Sequence, residues 1–386
     1  MVRIMEMIID LLKKFVAIDT TSVERKNFRL MAETIKAEAE ALGLIAELII
    51  DEKSIPHVLI RLPEEAEGAK NVLFVTHYDV VPPGEGWDFD PFKPFEEMGR
   101  VYGRGAADDK SGIVAGLIAF KEVLESGRRP KINPILVVAG GEETGEGSDF
   151  FRSLKGDLAV ILDVGPEALS IGASGVVRAY IRVLGKQCHS AYPFEGKNAI
   201  NDAARLVLFL NRMARKLERK KKSRYPAVAK YKRLPARMSV TMISGGVAEN
   251  IIPGECRIVV DRRTIPEEDI KSVALELKER IEKFARRRRI DARVDVKPLL
   301  PGWVTENRKI VDRVREILER MLGRRIRVGV ELGGTDGVWF IDRMPVVQFG
   351  ALRSGTNVHG VNEFVYLDDV VLVKNFVKNL ILELEI

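Results

Sequence analysis

The sequence predicts an α/β fold in which helices cover a sheet, with a smaller α+β domain inserted into it. Apolar runs of strand length alternate with amphipathic, helix-like stretches before Ala173 and again after Pro298, a pattern typical of a helix-covered sheet. Between them, the chain has long strand-like runs separated by two helix-like stretches, and it is strongly basic where the rest is acidic. We therefore predict a discontinuous α/β domain, residues 1–173 and 299–386, with an inserted domain at 174–298.

Amphipathic spacing and apolar runs predict the elements of the first part in order. The N-terminal run MVRIMEMIIDLLKKFVAI is interrupted by charges at helical spacing, which favours an amphipathic helix near 4–15 over a signal peptide or a membrane span. Apolar runs of strand length predict strands. The remaining predicted elements are a helix near 25–42, strands at 44–50, 57–62 and 71–76, a helix near 111–126, and strands near 134–139 and 158–162.

The inserted segment combines alternating strands with two long helices. Its predicted elements are a strand in VVRAYIRVLG, a helix over 199–222, strands in MSVTMISGG and ECRIVVDRR, a helix over 267–287 and a strand in RIDARVDV. Two helices on an antiparallel sheet make a compact unit of normal domain size. After this segment come a helix near 307–322, short strands in RIRVGV and PVVQFG, and a final helix near 367–383.

Composition excludes several classes of protein. No stretch approaches the roughly 20 apolar residues of a membrane helix, and Cys188 and Cys256 are too few for a disulfide framework or a cysteine-based zinc site. We expect a soluble, cytoplasmic protein that binds no membrane. The basic runs KLERKKKSR and ARRRR contain no aromatic residues, which favours a solvated helix face over a nucleic-acid surface. The scarcity of glutamine, with abundant Glu, Lys and Arg, resembles the composition of thermophile proteins.

The first candidate for chemistry lies where an apolar strand ends. His77 follows the run NVLFVT in the string HYDVVPPG, and strand ends of this kind carry ligand sites in α/β sheets. Asp79 lies two residues on, so both side chains project from one face of an extended backbone. The imidazole could bind a metal while the carboxylate orients it. The pair alone fits an ordinary strand-end histidine equally well. His57, outside every motif, is predicted to be a strand-end or surface histidine.

Two glycine-rich strings add carboxylates. GRGAADDKSG offers Asp108 and Asp109 before a predicted helix, and it fits a metal better than a dinucleotide because an acidic pair would repel a pyrophosphate. GGEETGEG follows the predicted strand PILVVA. If its backbone is extended, Glu142 and Glu143 point in opposite directions, so that Glu143 holds a metal while Glu142 faces a substrate. Acidic residues in such a string are also common on ordinary surfaces.

Two further strand ends complete a set of metal donors. Asp163 closes the run LAVIL, and His359 lies in GTNVHGVNE after PVVQFG. With His77, Asp108 and Glu143 they make three carboxylates and two imidazoles, a set too acidic for one structural zinc but suited to two hydrolytic zinc ions about 3.5–4 Å apart. One carboxylate must then bridge the ions. Two divalent cations would also offset the negative charge of this part of the chain.

A series of strings occurs along the chain in one order: HYDVVPPG, GRGAADDKSG, GGEETGEG, LDVG, HSAYPFEGKNAI, NIIPGECRIVVDRR, LGGTDG and VHGVNE. The series resembles the acetylornithine deacetylase / succinyl-diaminopimelate desuccinylase family of zinc amidohydrolases, which includes aminoacylases and glutamate carboxypeptidases, over roughly residues 5–385. The resemblance implies a catalytic domain with helices on both faces of a mixed sheet and an inserted lid or dimerisation domain. It further implies two Zn²⁺ ions per subunit, which Co²⁺ could replace, and a homodimer through the lid.

The resemblance also implies a role for each candidate residue. Asp79 would support His77, and Glu142 would act as the general base. The implied metal ligands are His77 and Asp163 for one zinc, Glu143 and His359 for the other, and Asp108 as the bridge.

Residues of the inserted segment receive roles from the resemblance alone. His189 resembles a lid histidine that reaches the partner subunit's site to stabilise an oxyanion, and Asn250 and Arg263 resemble residues that contact a substrate carboxylate or the reacting carbonyl. Outside that segment, Gly334 and Thr335 of LGGTDG would also bind substrate. A Cys188–His189 nucleophile pair is disfavoured because neighbouring side chains on a strand diverge.

From this set we expect metal-assisted hydrolysis of an amide bond in a small N-acyl amino acid that bears a free carboxylate. A dipeptidase or carboxypeptidase using the same site is the alternative enzyme, and a metal-free binding protein or nucleic-acid binder is disfavoured because the donor set is complete. Desuccinylases of the family carry an arginine pair where this chain has Ala173-Ser174, just before Gly175. A di-acidic substrate would lose a bidentate anchor there, unless the nearby Arg178 compensates, so a mono-acidic substrate is favoured.

Overall fold

The computed structural model describes residues 2–386 and confirms the predicted α/β class. The helices are α1 (Val2–Val16), α2 (Phe28–Ala41), α3 (Lys110–Ser126), α4 (Ser148–Ser153), α5 (Ala199–Lys220), α6 (Ile270–Arg288), α7 (Arg308–Leu322) and α8 (Leu367–Glu383). The strands are β1 (Ile45–Ile50), β2 (Pro56–Arg61), β3 (Asn71–His77), β4 (Phe95–Glu97), β5 (Arg100–Tyr102), β6 (Asn133–Ala139), β7 (Leu158–Ile161), β8 (Ala168–Ala173), β9 (Gly175–Leu184), β10 (Cys188–His189), β11 (Arg237–Gly245), β12 (Ile251–Ile252), β13 (Glu255–Thr264), β14 (Asp291–Leu300), β15 (Trp303–Val304), β16 (Arg327–Glu331), β17 (Val346–Gln348) and β18 (Phe364–Tyr366).

Every predicted helix and strand has a counterpart within a few residues of its predicted bounds. The elements that the sequence did not predict are short, such as α4, β4 and β5, because a piece of three to six residues has too few positions to show a period. No helix within residues 2–386 combines the length and the apolar character that a bilayer span requires.

The chain forms two compact units. The first comprises residues 2–171, 305–328 and 339–386, and the second comprises 172–304 and 329–338. The second unit is therefore larger than the inserted domain predicted at 174–298, because two later segments pack with it. Its assignment as a lid or dimerisation domain stays a prediction.

The first unit contains a mixed sheet whose strands lie in the order β1-β2-β6-β3-β7-β17-β8. β3 runs parallel to β6 and to β7, and β17 runs parallel to β7. β1 and β2 pair antiparallel with each other, and β2 pairs antiparallel with β6. The carboxyl ends of the four parallel strands consequently meet at one edge, which is where ligand sites form in α/β sheets.

Helix α3 is buried along most of its length. Its stretch GIVAGLIAF is apolar on all sides, as expected for a helix enclosed by its neighbours. Gly116 packs so closely on β6 that an added Cβ would lie 2.6 Å from the Leu136 side chain. At the start of α3, the buried Lys110 ammonium donates to the carbonyls of Phe15 and Ile18 at 3.1 and 2.9 Å. Burial lowers the pKa of Lys110 to about 7.

The second unit is built on an antiparallel sheet in the order β11-β13-β9-β14. Alternate residues of β9, from Val177 to Val183, are buried in one core with residues of α5 and α6. Residues in between, such as Arg178 and Tyr180, lie on the other face of the sheet because side chains alternate along a strand. The two helices thus cover one face, and most charged positions of the strands lie on the opposite face, with the buried Arg262 as an exception.

Candidate metal centre

Polar side chains follow the ends of the four parallel strands in the first unit. His77 is the last residue of β3, Glu142 and Glu143 follow β6, and Asp163 follows β7 by two residues. His359 lies in the loop after β17. Because these strand ends share one edge, the chain brings together residues far apart in sequence.

Two groups of possible metal ligands share Asp108, in the loop just before α3. The ligand atoms of His77, Asp108 and Asp163 lie within 4.8 Å of one another, and so do those of Asp108, Glu143 and His359. Asp108 Oδ1 is 3.0 Å from His77 Nε2, and its Oδ2 is 3.0 Å from His359 Nε2. One carboxylate therefore presents one oxygen to each group, as a bridging ligand does.

The spacing and chemistry of these donors fit two divalent cations. His77 Nε2 is 3.9 Å from Asp163 Oδ2, and His359 Nε2 is 3.2 Å from Glu143 Oε2. Two donors that each lie about 2 Å from a common ion are at most about 4 Å apart. Asp163 Oδ1 is buried with no hydrogen-bond partner in the described part of the chain, a costly state that a cation would relieve.

The electrostatics of the donors point the same way. Hydrogen bonds to Asp108 and Glu143 raise the pKa of His359 to about 10. Burial alone would lower the pKa of His77, but the neighbouring carboxylates of Asp108, Asp79 and Glu142 raise it well above its usual value. Burial and the charge of Asp108 raise the pKa of Asp163 well above its usual value. The buried carboxylates therefore need positive charge beside them, which divalent cations would supply.

Asp79 supports the centre differently from the prediction. Its carboxylate accepts hydrogen bonds from the backbone N–H groups of Glu142 and Glu143, at 3.1 Å each. His77 Nδ1 lies 3.0 Å from the backbone carbonyl of Asp79 and 3.6 Å from its carboxylate, so the carbonyl is the group that orients the imidazole. Asp79 thus holds the start of the GGEETGEG string against the end of β3.

The premise that GGEETGEG is extended is wrong. Residues 142–147 form turns, with the Gly145 N–H donating to the Glu142 carbonyl at 2.7 Å. Gly141 has φ +75°, which breaks the strand, and a Cβ on Gly140 would clash with Tyr78 Oη. The two glutamates nevertheless diverge. Glu143 lies beside His359, whereas Glu142 Oε2 is 3.9 Å from His77 Nε2 and its side chain is 20% exposed.

Glu363 belongs to the centre, although it was not among the site residues predicted from sequence. Its buried carboxylate accepts hydrogen bonds from the backbone N–H groups of Gly105, Ala107 and Asp108, at 3.0 to 3.2 Å. It also pairs with the buried Arg104 guanidinium. The available signal was its position in VHGVNE, four residues after His359, because a carboxylate in a candidate site loop can orient a ligand.

His57 lies at a strand end, the first of its two predicted places, and it is buried rather than at the surface. It lies near the start of β2, where its ring stacks on Phe150 with centroids 3.7 Å apart. Its Nδ1 accepts a hydrogen bond from the Gly140 N–H at 3.2 Å, and Asp51 Oδ2 is 3.4 Å from its Nε2. Burial lowers the pKa of His57 to about 4. His57 therefore supports the glycine turn that carries Glu142 and Glu143.

Two of the remaining candidates lie together in the second unit. The strand β10 pairs with β12, and the Ser190 N–H donates to the Asn250 carbonyl at 2.9 Å, next to His189. His189 Nδ1 accepts a hydrogen bond from the Ala191 N–H at 3.0 Å, so the ring proton belongs on Nε2. His189 is exposed, and its Nε2 is a donor available to a ligand. The Cys188 thiol donates to the Tyr192 carbonyl.

Arg263, Gly334 and Thr335 also lie in the second unit. Arg263 Nε donates to Asp261 at 2.7 Å. Thr335 Oγ1 is buried and has no hydrogen-bond partner among residues 2–386. A Cβ on Gly334 would lie 2.7 Å from Leu300 and 3.6 Å from the Ser174 carbonyl, so this glycine segment packs beside Ser174.

Known proteins resemble this chain along most of its length. The sequence pattern of peptidase family M20/M25/M40 matches residues 73–383. Succinyl-diaminopimelate desuccinylases from Rhodopseudomonas palustris and Gluconobacter oxydans are 28% and 31% identical, covering 78% and 81% of this chain and 79% and 80% of their own. A solved M20 family metallo-carboxypeptidase from Sulfolobus solfataricus shares the fold, with a TM-score of 0.76, 21% identity, and 96% of this chain and 97% of the other covered.

Proposed function

We propose, from the premise that this chain belongs to peptidase family M20/M25/M40, that it is a metal-dependent hydrolase of the amide bond in small N-acyl amino acids with a free carboxylate. The observation that carries the proposal is the pair of donor groups that share Asp108, with the Glu142 carboxylate beside them. A general base next to a two-metal site is an arrangement suited to metal-assisted amide hydrolysis.

The metals we propose are two Zn²⁺ ions per subunit, with Co²⁺ as a possible substitute. His77 and Asp163 would hold one ion, Glu143 and His359 the other, and Asp108 both, since imidazole and carboxylate donors suit zinc. When bound, such a pair lowers the pKa of a water molecule toward neutrality and polarises the amide carbonyl.

The residues of the chain move the proton and hold the substrate in this proposal. Glu142 accepts the proton of the attacking water and returns it to the leaving nitrogen, a role that suits its partly exposed carboxylate. Asp79 holds the backbone from which Glu142 projects. His189 donates from Nε2 to the developing oxyanion, and Asn250 and Arg263 contact the substrate carboxylate or the carbonyl. Gly334 and Thr335 complete the substrate contacts.

Two alternatives keep the same reaction and change the substrate. A dipeptidase or carboxypeptidase is favoured by the likeness to a metallo-carboxypeptidase, since acyl and aminoacyl groups present the same carbonyl. Succinyl-diaminopimelate desuccinylation is favoured by the names of the sequence relatives. We further propose a cytoplasmic homodimer through the second unit, without nucleic-acid or membrane partners.

A hydrolysis screen tests the proposal. The protein, reconstituted with zinc or cobalt, is offered N-acetyl amino acids, N-succinyl amino acids and dipeptides, and release of the free amine is followed. We expect turnover that requires added metal and disappears in the Glu142→Gln variant. Metal-loaded protein that cleaves none of these amides would contradict the proposal.

A further inference from the structure

An arginine from a distant strand reaches the position where desuccinylases carry an arginine pair and this chain does not. Arg237 is the first residue of β11, and its Nη2 donates to Ser174 Oγ at 2.8 Å and to the Leu332 carbonyl at 2.7 Å. Ser174 is the residue just before Gly175, where desuccinylases would carry arginine. Leu332 precedes Gly334 and Thr335 in the same segment. A guanidinium is thus present at this place in the second unit, supplied by β11 instead of by the junction of β8 and β9.

Arg237 lies beside a second arginine on the adjacent strand. In the register of β11 and β13, Arg237 lies directly opposite Arg263, so both side chains are on the same face. Asp261 Oδ1 accepts from Arg263 Nε at 2.7 Å, and Asp261 Oδ2 lies 3.6 Å from Arg178 Nη2. The Asp261 carboxylate therefore lies beside two guanidiniums. No carboxylate among residues 2–386 lies at ion-pair distance from Arg237.

The Arg237 guanidinium keeps unused donors. Only Nη2 has hydrogen-bond partners among the described residues, and Nε is buried without one. Burial and the neighbouring charge of Arg263 lower the pKa of Arg237, in keeping with the lack of a carboxylate partner. Two like charges directly opposite on a sheet also destabilise it. A bound anion would compensate the charge of Arg237 and offset its repulsion with Arg263, through charge-assisted hydrogen bonds.

We infer that Arg237 and Arg263 form a two-arginine carboxylate site, with Arg237 as a specificity-determining residue for substrates that carry a second carboxylate on their amino-acid part. This rests on the proposed function, and of the two contacts proposed there for Arg263 it takes the one with the substrate carboxylate. Two neighbouring arginines suit a substrate with two carboxylates, so the preferred class is N-acylated acidic amino acids. This replaces the mono-acidic preference that the missing arginine pair favours from the sequence alone. A purely structural Arg237, tying β11 to Ser174 and Leu332, is the competing explanation.

The experiment compares two ligands that differ by one charge. Binding of L-glutamate and L-glutamine to the metal-loaded enzyme is measured by calorimetry, and kcat and KM are measured for N-acetylglutamate and N-acetylglutamine. We expect the wild type to favour the acidic compound by about tenfold or more in both Kd and KM, from one added charge-assisted pair. Arg237→Met should abolish the preference by weakening the acidic ligand alone, and Arg237→Lys should restore part of it.

The matched control removes a different arginine from the same face. Arg182, on β9, is held by Glu255, so Arg182→Met removes an equal charge and should leave the preference unchanged. Equal wild-type binding of glutamate and glutamine, or an equal loss for both ligands in Arg237→Met, overturns the inference. If Arg237→Met does not fold, the wild-type preference and Arg237→Lys still decide. A binding preference without any hydrolysis would instead count against the proposed function alone.

Discussion

Arg104 and Glu363 form a buried ion pair that joins the loop carrying Asp108 to the loop carrying His359. Arg104 Nη1 lies 2.5 Å from Glu363 Oε2, and both side chains are 1% exposed. Arg104 Nη2 also donates to the Gly360 carbonyl at 2.8 Å, next to His359. The pair therefore spans the two loops that supply the shared carboxylate and one imidazole of the candidate centre.

Replacing Glu363 by glutamine should destabilise the protein and weaken metal binding. The change leaves the buried Arg104 charge without a carboxylate partner, which typically costs about 3–5 kcal/mol of unfolding free energy. It also weakens the acceptor that holds the backbone of Asp108. Chemical unfolding measures the first effect, and titration with Zn²⁺ measures the second.

An exposed ion pair provides the control for Glu363. Glu125 pairs with Lys121 on the surface of α3, with 59% of the Glu125 side chain exposed. Glu125→Gln should change stability by no more than about 1 kcal/mol. If Glu363→Gln has an effect as small as Glu125→Gln, the buried pair does not organise the centre.

Glu142 and Glu143 should separate into a base and a ligand. Glu142→Gln should keep metal affinity and reduce kcat by about 100-fold or more, since a general base typically contributes 10²–10⁴-fold. Glu143→Gln should weaken metal binding as well, because Glu143 is the residue beside His359. Equal loss of metal in both variants would contradict this assignment of base and ligand. Metal analysis and steady-state kinetics on the same preparations supply both numbers.

The sequence predicted the parts of the centre that follow from strand ends. Once β3, β6, β7 and β17 are recognised as apolar runs, the residues after them must meet at one edge of a parallel sheet. This is why His77, Glu143 and Asp163 could be grouped from the sequence alone. The local form of GGEETGEG could not be predicted, because two glycines permit backbone conformations that no pattern of polarity reveals.

Contacts that depend on strand register or on distant loops could not be predicted from the sequence either. Arg104 and Glu363 are 259 positions apart, and nothing in either string marks the other as its partner. Arg237 faces Arg263 only because of the register between β11 and β13, which depends on the packing of the whole sheet. His57 lacked a motif, and its place under Gly140 follows from the pairing of β2 with β6.

The number of metal ions bound per chain should depend on each of the two donor groups separately. Wild-type protein reconstituted with Zn²⁺ should hold about two ions per chain. His359→Ala removes a donor from one group only, so it should hold about one ion, and Asp108→Ala should lose affinity for both. Elemental analysis after removal of loosely bound metal gives the count. A wild type without specific metal, or an Asp108 variant that retains two ions, would refute the shared-ligand arrangement.

The pH dependence of stability should carry a contribution from His57. Burial lowers its folded-state pKa to about 4, against 6.5 for the unfolded chain. Between these values the unfolded state binds a proton that the folded state does not. The contribution is therefore complete above pH 6.5 and is lost as the pH falls toward 4, by roughly 3 kcal/mol.

His57→Asn, which keeps a polar side chain toward Gly140, should lose less stability over this interval in denaturant titrations. Parallel curves would show that His57 does not titrate as expected.

The last prediction concerns His189 and the proposed homodimer. Its Nδ1 accepts the Ala191 N–H, which leaves Nε2 as a donor on an exposed side chain, and the family resemblance has this histidine act in the partner subunit's site. His189→Ala and Glu142→Ala proteins should each be nearly inactive and dimeric by sedimentation.

Mixing the two variants distinguishes action in trans from action in cis. If His189 serves the partner, a mixed dimer contains one site with its own intact Glu142 and an intact His189 from the other chain, so each mixed dimer should regain about half of the wild-type activity. If His189 serves its own subunit, every site in the mixed dimer lacks one of the two groups and activity stays lost. Exchange is verified with differently tagged subunits, and the Glu142→Ala protein mixed with itself is the control for recovery caused by handling. Absence of rescue after verified exchange, or a monomeric wild type, rejects the trans role because the donor would then have no second site to reach.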